Sequence, residues 1–278
     1  MGEYDWEAIE TAREYYNSED ADNFYYNVWG GEDLHLGIYK YPDDPIFDAS
    51  RRSVRRMLSK FIDIDENSRI IDLGGGYGGS MRYAVKTYGC RAVVLNLSER
   101  ENERDRQMNK EQGVDHLMEV VDGAFERVDY EDGAFDLAFS EDSILHSPDR
   151  EQVLRETYRL LKPGGEFVFT DPMQTDECPD GVLQPIYDRI QLESLASPGF
   201  YHKTAEKVGF EVSGYEDLSI HLPRHYQAVH DELERREQEV RQLVSEEYIT
   251  NMKNGLKHWV NGGLNGYLTW GMFHLIKK

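Results

Sequence analysis

Residues 69–79 read RIIDLGGGYGG, and this stretch decides the fold. The apolar run RIIDL (69–73) predicts a buried strand, and the glycines after it predict a tight turn in which the backbone can approach a ligand closely. Residues 78–88 then have helical spacing. A strand, a glycine-rich turn and a helix in this order are typical of the first unit of a nucleotide-binding α/β fold.

The rest of the chain repeats this alternation of strands and helices. Further strands are predicted at residues 91–97, 117–121, 135–140, 166–171, 210–218 and 267–278. Helices are predicted at residues 4–16, 45–61, 78–88, 99–112 and 149–161, with two more at about 224–245 and 246–260. The pattern predicts an α/β, Rossmann-like, doubly wound sheet of seven strands.

The same pattern divides the chain into three parts. Residues 1–61 are predicted to form an N-terminal helical lid, and residues 62–220 and 264–278 the cofactor-binding core. Residues 221–263 are predicted to form a helical hairpin inserted between the last two strands.

The spacing of the glycines alone leaves the cofactor open. Gly74, Gly76 and Gly79 fit the dinucleotide pattern GxGxxG, whereas Gly74, Gly76 and Gly78 fit the methyltransferase pattern GxGxG. Asp72 favours the second, because a carboxylate would repel a pyrophosphate at this helix N-terminus. It would attract the ammonium and sulfonium of S-adenosylmethionine. An NAD-dependent oxidoreductase and a non-catalytic cofactor-binding protein are the alternatives from other classes.

Polar residues after the second and third strands extend the predicted cofactor site. Asn96 ends the second strand, where a side chain can make hydrogen bonds to ribose hydroxyls, and Asp122 follows the third, where it can accept a hydrogen bond from an adenine amino group. A plain Asp-Gly turn is the competing interpretation of Asp122. In full, the core residues predicted to bind the cofactor are Asp72, Gly74, Gly75, Gly76, Asn96, Leu97, Asp122, Gly123, Ala124 and Ser140.

At these residues the chain resembles the class I methyltransferases, and more specifically the sarcosine/dimethylglycine N-methyltransferases. Nearly the whole chain carries the likeness, above all residues 15–39, 95–106, 140–149, 159–171, 184–192 and 251–271. The resemblance implies S-adenosylmethionine as methyl donor and glycine betaine as product. It also implies that lid residues Tyr25 and His35 contact the cofactor. No metal is expected, because no cluster of carboxylates and histidines in the sequence has the spacing of metal ligands.

The substrate requirements of such an enzyme point to further residues. His146 follows the fourth strand and is predicted to be the catalytic base, with Tyr16 as its partner by resemblance; that His146 only shapes the pocket is the alternative. Arg189 is predicted to bind the substrate carboxylate, with Arg224, His225 and Tyr226 as second choices. Aromatic faces that could surround a methylated ammonium are expected from Tyr26, Trp29, Tyr187 and Tyr201. Glycine or a phosphorylated amino alcohol remains open as substrate.

Composition restricts the partners. The chain has 53 acidic residues against 31 Lys and Arg, a net charge of −22, which disfavours nucleic-acid binding. The acids are dispersed along the chain, and this predicts a halophilic or salt-tolerant source, although an ordinary enzyme of low pI would look similar. The sequence contains neither a membrane span nor a signal peptide pattern, so we expect a cytoplasmic monomer or homodimer that acts on a small amine.

Overall fold

The computed structural model describes residues 10, 13, 14 and 17–278. The helix predicted at residues 4–16 and the predicted catalytic Tyr16 therefore lie outside the described residues, apart from positions 10, 13 and 14. None of the described helices is long and apolar enough to cross a membrane.

Seven strands form one sheet, in the spatial order β3–β2–β1–β4–β5–β7–β6. The strands are β1 (Arg69–Leu73), β2 (Arg91–Asn96), β3 (Met118–Asp122), β4 (Phe135–Glu141), β5 (Leu161–Gln174), β6 (Phe210–Asp217) and β7 (Leu268–Lys277). The first five strands pair in parallel, and β7 pairs antiparallel with both β5 and β6. The predicted seven-stranded α/β fold is confirmed.

Helices connect the strands and cover both faces of the sheet. They are α1 (Glu19–Phe24), which continues into a π-helix (Tyr25–Trp29), α2 (Ile46–Leu58), α3 (Gly79–Tyr88), α4 (Glu99–Glu111), α5 (Arg150–Leu160), α6 (Gln184–Ile190), α7 (Pro198–Val208), α8 (His221–Arg235), α9 (Glu237–Val240) and α10 (Glu246–Leu264). A short 3₁₀ turn, Ile144–His146, follows β4. The helix expected at 224–245 is instead α8 and the short α9, separated at Arg236.

Alternating residues of the central strands supply the two cores. Val168 of β5 packs with α2, α3, α8 and α10, whereas its neighbours Phe167 and Phe169 pack with α5 and α7. Phe169 stacks on Phe273 of β7, with ring centroids 5.0 Å apart. Because both faces are covered, the strand ends at the carboxyl edge are the positions left for ligands, at the switch point between β1 and β4.

The N-terminal segment is fastened to this edge through Asp22. Tyr77 Oη, from the glycine turn, donates a hydrogen bond to Asp22 Oδ1 (2.7 Å), and Arg104 Nη2 of α4 donates to Asp22 Oδ2 (2.6 Å). Further along, the backbone N–H of Leu36 donates to Asp142 Oδ2 at the end of β4 (2.7 Å). Residues 31–39 are thereby held across the carboxyl edge.

Candidate functional site

The turn after β1 forms the floor of the site. Gly74 has φ of +81°, a conformation that glycine adopts without strain, and a Cβ there would lie 2.5 Å from Ser143 Cβ. The N–H groups of Gly74 and Gly75 both donate to the carbonyl of Leu95, which ties the turn to β2 (2.8 and 3.2 Å). The glycines therefore allow a path that no larger residue at position 74 would fit.

A cavity of about 950 Å³, open to solvent on one side, lies above this turn. It contains most of the predicted cofactor residues together with the predicted base: His35, Asp72, Gly74, Gly75, Gly76, Asn96, Leu97, Gly123, Ala124 and His146. Their shared position at one cavity follows from the parallel strands, whose carboxyl ends meet at one edge.

The cavity is strongly acidic. Six carboxylic acids line it, namely Glu32, Asp72, Glu101, Glu126, Glu141 and Asp142, and no Lys or Arg is among the described residues that line it. Such a lining attracts cations and repels phosphates.

Asp72 is the least compensated of these acids. It is almost completely buried, and its Oδ1 has no hydrogen-bond partner among the described residues. Burial raises the pKa of Asp72 well above its usual value, and the negative charges of Glu141 and Asp105 add to the effect. A buried acceptor without a partner is costly, so the site is built for a donor, preferably a cationic one, that comes from a ligand.

The end of β2 carries a carboxylate that the sequence analysis missed. Asn96 Nδ2 donates to Glu101 Oε2 (2.8 Å), and Glu101 itself lines the cavity. Burial raises the pKa of Glu101 to about 7 although the Asn96 hydrogen bond opposes it. The spacing Ser98-x-x-Glu101 was a usable signal, because it matches a helix capping box, and Ser98 Oγ does accept from the Glu101 N–H (3.2 Å).

His35 brings a positive charge to the wall of the cavity. Its Nδ1 lies 3.0 Å from Glu141 Oε1, and Ser80 Oγ donates to the other oxygen of Glu141 (3.0 Å). Burial alone would lower the pKa of His35, but the charge and hydrogen bond of Glu141, then Asp33, outweigh it and raise the pKa to about 9. The segment that contains His35 thus meets β4 through a buried imidazolium–carboxylate pair.

His146 lies in the 3₁₀ turn after β4 and faces the cavity. Burial, and then the positive charge of Arg150, lower the pKa of His146 to about 4. At neutral pH its imidazole is therefore neutral and can accept a proton or a hydrogen bond.

Asp142 follows β4 directly and was not singled out from the sequence. It has φ of +54°, and its Oδ1 accepts from Thr170 Oγ1 and Trp270 Nε1 (2.8 Å each). A strained polar residue at a strand end is typical of functional sites. Applying the carboxyl-end rule to β4, as to β2 and β3, would have found both Glu141 and Asp142. The other lining residues that were not predicted are Glu32, Leu34, Gly79, Ser80, Glu101, Phe125, Glu126 and Ser143.

Two residues predicted to bind the cofactor make other contacts in the structure. Asp122 accepts from Asn102 Nδ2 (2.8 Å) and Arg106 Nη2 (2.7 Å), and Ser140 Oγ donates to the carbonyl of Leu73 (2.7 Å). Neither is among the cavity-lining residues. Ser140 links β4 to β1, and the adenine contact of Asp122 stays a prediction.

The aromatic residues predicted for the substrate also lie beyond this cavity. Tyr201 is fully buried and donates to Asp171 Oδ2 (2.6 Å), while Tyr187 donates to Gln174 Oε1 (2.8 Å). The ring of Tyr26 lies 4.3 Å from the Arg104 guanidinium. Their roles in substrate binding stay predictions.

The remaining candidates pack around the inserted helices. The ring of Trp29 lies 5.3 Å from that of Tyr25 and 5.4 Å from that of His225 of α8. Arg189 Nη2 lies 2.8 Å from Met252 Sδ, and its side chain fills the space beside Gly255 of α10. Trp29 thus packs against Tyr25 and against α8, and Arg189 packs against α10.

Comparisons with known proteins agree with this geometry. A family model described as a methyltransferase domain matches residues 71–169, which run from β1 into β5. The chain is 63% identical to the sarcosine/dimethylglycine N-methyltransferase of Halorhodospira halochloris, over 99% of this chain and 98% of that protein. The chain belongs to the sarcosine/dimethylglycine N-methyltransferase family.

Two further relatives support the membership. The sarcosine/dimethylglycine N-methyltransferase of Aphanothece halophytica is 49% identical, over 95% of this chain and 96% of that protein. The crystal structure of a candidate sarcosine dimethylglycine methyltransferase from Galdieria sulphuraria is 37% identical and covers 95% of this chain and 99% of its own, with a TM-score of 0.90. The two proteins therefore share one fold over 95% of this chain.

The cofactor of this methyltransferase is S-adenosylmethionine, and the cavity fits it. The partnerless Oδ1 of Asp72 suits the ammonium of the methionine part, and the acidic lining suits the sulfonium. The same lining would repel the pyrophosphate of a dinucleotide. Within the part of the chain that the structure describes, no group of three His, Cys, Asp or Glu residues is arranged to hold a metal ion.

Proposed function

We propose that this protein methylates the nitrogen of sarcosine and then of dimethylglycine, which yields glycine betaine. The observation that carries the proposal is the acid-lined cavity around Asp72, whose Oδ1 has no hydrogen-bond partner among the described residues, in a chain that matches a protein of that activity over nearly its full length. When bound, S-adenosylmethionine supplies a methyl group on a sulfonium, which leaves as a neutral thioether.

The protein's part in this reaction is to hold the amine in line with that methyl group. Positioning can replace much of the entropic barrier of such a displacement. The substrate must offer a neutral nitrogen, and we assign the acceptor of its proton to His146, which is unprotonated at neutral pH and faces the cavity. Sarcosine gives up one further proton after methylation, whereas dimethylglycine has none left on its nitrogen to lose.

The carboxylate of the substrate needs donors, and two buried ones are available beside the lid. Trp29 Nε1 and His225 Nε2 have no hydrogen-bond partner among the described residues. His225 Nδ1 accepts from the N–H of Gly37 (3.0 Å), which leaves the proton of the neutral ring on Nε2. These groups support the second choice of the sequence analysis, His225, beside the first, Arg189.

A methyl-transfer assay tests the proposal. The purified protein and labelled S-adenosylmethionine are incubated with glycine, sarcosine, dimethylglycine or phosphoethanolamine, and the products are separated. We expect turnover with sarcosine and dimethylglycine and little with phosphoethanolamine, because the acidic lining repels its phosphate. Turnover of phosphoethanolamine alone would contradict the proposed substrate.

The setting of the reaction is part of the proposal. The net charge of −22 supports a protein that binds no nucleic acid and works as a cytoplasmic monomer or homodimer at high salt. Its partners are then the small amine and the cofactor alone. Sedimentation and activity measured across KCl concentrations test the oligomeric state and the salt requirement; loss of activity at molar KCl would contradict the salt-tolerant source.

A further inference from the structure

The peptide groups of Leu145 are fixed on both sides by charged residues that the reaction proposed above does not use. The N–H of Leu145 donates to Asp171 Oδ1 (3.0 Å), and its carbonyl accepts from Arg150 Nη2 (2.8 Å). Leu145 directly precedes His146 in the 3₁₀ turn. The two contacts hold the backbone from which the imidazole projects.

Asp171 is built into the core at the end of β5 and not exposed to the cavity. It is 0% exposed, and its second oxygen accepts from Tyr201 Oη (2.6 Å). Tyr201 is also fully buried, with its ring against Phe169 and Phe273. The aromatic core therefore fixes Tyr201, Tyr201 fixes Asp171, and Asp171 fixes the turn.

Arg150 has a second link. It is the first residue of α5, and the same Nη2 donates to the carbonyl of Ser194 (2.5 Å), in the segment between α6 and α7. Its positive charge is close enough to disfavour protonation of His146. Arg150 thus acts on the geometry of the turn and on the charge state of the imidazole.

We propose that Asp171 and Arg150 are positioning residues that clamp the Leu145 peptides, so that His146 keeps one orientation towards the substrate amine. The inference rests on the role of His146 in the proposed function. The proposed clamp explains why Asp171, Tyr201 and Arg150 all lie around the three-residue turn Ile144–His146.

The charges around His146 determine what removal of Arg150 does. Asp142 at the end of β4, Asp171 of β5 and Glu126 in the loop after β3 lie near the turn, and Glu126 Oε1 accepts from Ser147 Oγ (2.5 Å). Burial raises the pKa of Asp171 to about 8, so it carries little negative charge at neutral pH, and Arg150 is the cation beside the turn. Without Arg150 the pKa of His146 should rise, because its positive charge is, after burial, what lowers that pKa.

The first test compares two substitutions of Asp171. Asp171→Ala removes the acceptor, whereas Asp171→Asn can still accept from Leu145 and can donate to Tyr201. Since misplacing a reacting group by ~1 Å costs on the order of 10²-fold, we expect kcat with dimethylglycine to fall at least about tenfold in the alanine variant. The asparagine variant should recover most of this loss, and the Kd for S-adenosylmethionine should change little in either.

Leu160→Ala is the control for stability, because Leu160 is a fully buried apolar residue at the opposite end of α5 from Arg150. If Asp171→Ala lowers kcat no more than Leu160→Ala at equal distance from its Tm, the clamp is refuted. If Asp171→Ala fails to fold, kcat of Asp171→Asn and of Arg150→Met is compared with that of the wild type instead.

The second test is a pH profile. The acidic limb of kcat/KM due to His146 lies in the wild type near its pKa of about 4, below pH 6. Arg150→Met should move this limb upward by about one pH unit, a shift that loss of packing would not produce. An unmoved limb would refute the effect of Arg150 on His146.

The double variant Asp171→Ala/His146→Ala separates this inference from the proposed function. If Asp171 acts through His146, the double variant should be no slower than His146→Ala alone. Wild-type turnover in His146→Ala would refute the role of His146 itself, whereas a slow His146→Ala with a normal Asp171→Ala would refute only the clamp.

Discussion

The substitution Asp72→Asn should weaken cofactor binding while it stabilises the free protein. Asp72 lies at the end of β1, nearly completely buried, with Oδ1 unpartnered among the described residues. A hydrogen bond to a charged group contributes about 1.5–3 kcal/mol, and each 1.4 kcal/mol is a factor of ten. The Kd for S-adenosylmethionine should therefore rise roughly 10- to 150-fold.

The opposite effect on stability follows from the raised pKa of Asp72. A carboxyl group whose folded-state pKa lies above its unfolded value stabilises the protein below the unfolded pKa and loses this contribution as pH rises through the folded pKa. At pH 7 to 8, well above the unfolded pKa, this raised pKa therefore lowers the stability of the free protein, and the amide removes that cost. Relief of about 1 kcal/mol would raise the Tm by roughly 2–4 °C.

Calorimetry and thermal melts of the purified protein measure both effects. Binding of the cationic cofactor should lower the pKa of Asp72, so the wild type should release a proton that Asp72→Asn does not, and titrations in buffers of different ionisation enthalpy detect it. Asp48→Asn, an exposed site on α2, controls for the change in net charge. A cofactor Kd in Asp72→Asn within twofold of the wild type would refute this account of the site.

Three further predictions follow. His146→Ala should lower kcat on the order of 10²-fold. Because the pKa of His146 is about 4, the pH profile of the wild type should show no acidic limb from His146 between pH 6 and 9. A limb near pH 6.5 that disappears in the variant would contradict this. Glu101→Gln should weaken cofactor binding about tenfold, since Glu101 lines the cavity and accepts a hydrogen bond from Asn96 at the end of β2. Isothermal titration measures the Kd, and an unchanged value would exclude a contact of Glu101 with the cofactor. Stability conferred by the His35–Glu141 pair should be complete below pH 6.5 and lost as pH rises through about 9; denaturant melts across this range should show a steeper fall for the wild type than for Glu141→Gln, and parallel curves would contradict the pair.

The sequence alone determined the framework of the fold. Residues 69–73 form β1 as predicted. Its bounds could be predicted because an apolar run indicates a buried strand and the glycines after it indicate a turn, and both signals are local in the sequence. Asp72 and His146 could be found because parallel strands bring their carboxyl ends to one edge, so position after a strand implies position in the cavity. These inferences need no knowledge of which distant residues meet.

Tertiary contacts decided the rest. β5 extends to Gln174, beyond the predicted end at 171, because antiparallel β7 pairs with it from Glu166 to Gln174 and places Leu268 opposite Gln174. Tyr201 was predicted from the sequence to be an aromatic residue of the substrate site. The structure places it in the core, where its hydroxyl donates a hydrogen bond to Asp171.

Glu101, the carboxylate beside the end of β2, also shows what the sequence determined and what tertiary contacts decided. The strand pattern identifies Asn96, but Glu101 reaches the cavity from the first turn of α4 because the cap at Ser98 and the Asn96 amide hold it there. Hydrophobic periodicity predicts which side chains are buried, because burial requires only an apolar environment and not one particular partner. The partner of a buried charge depends on groups far apart in sequence, and only the folded chain brings them together.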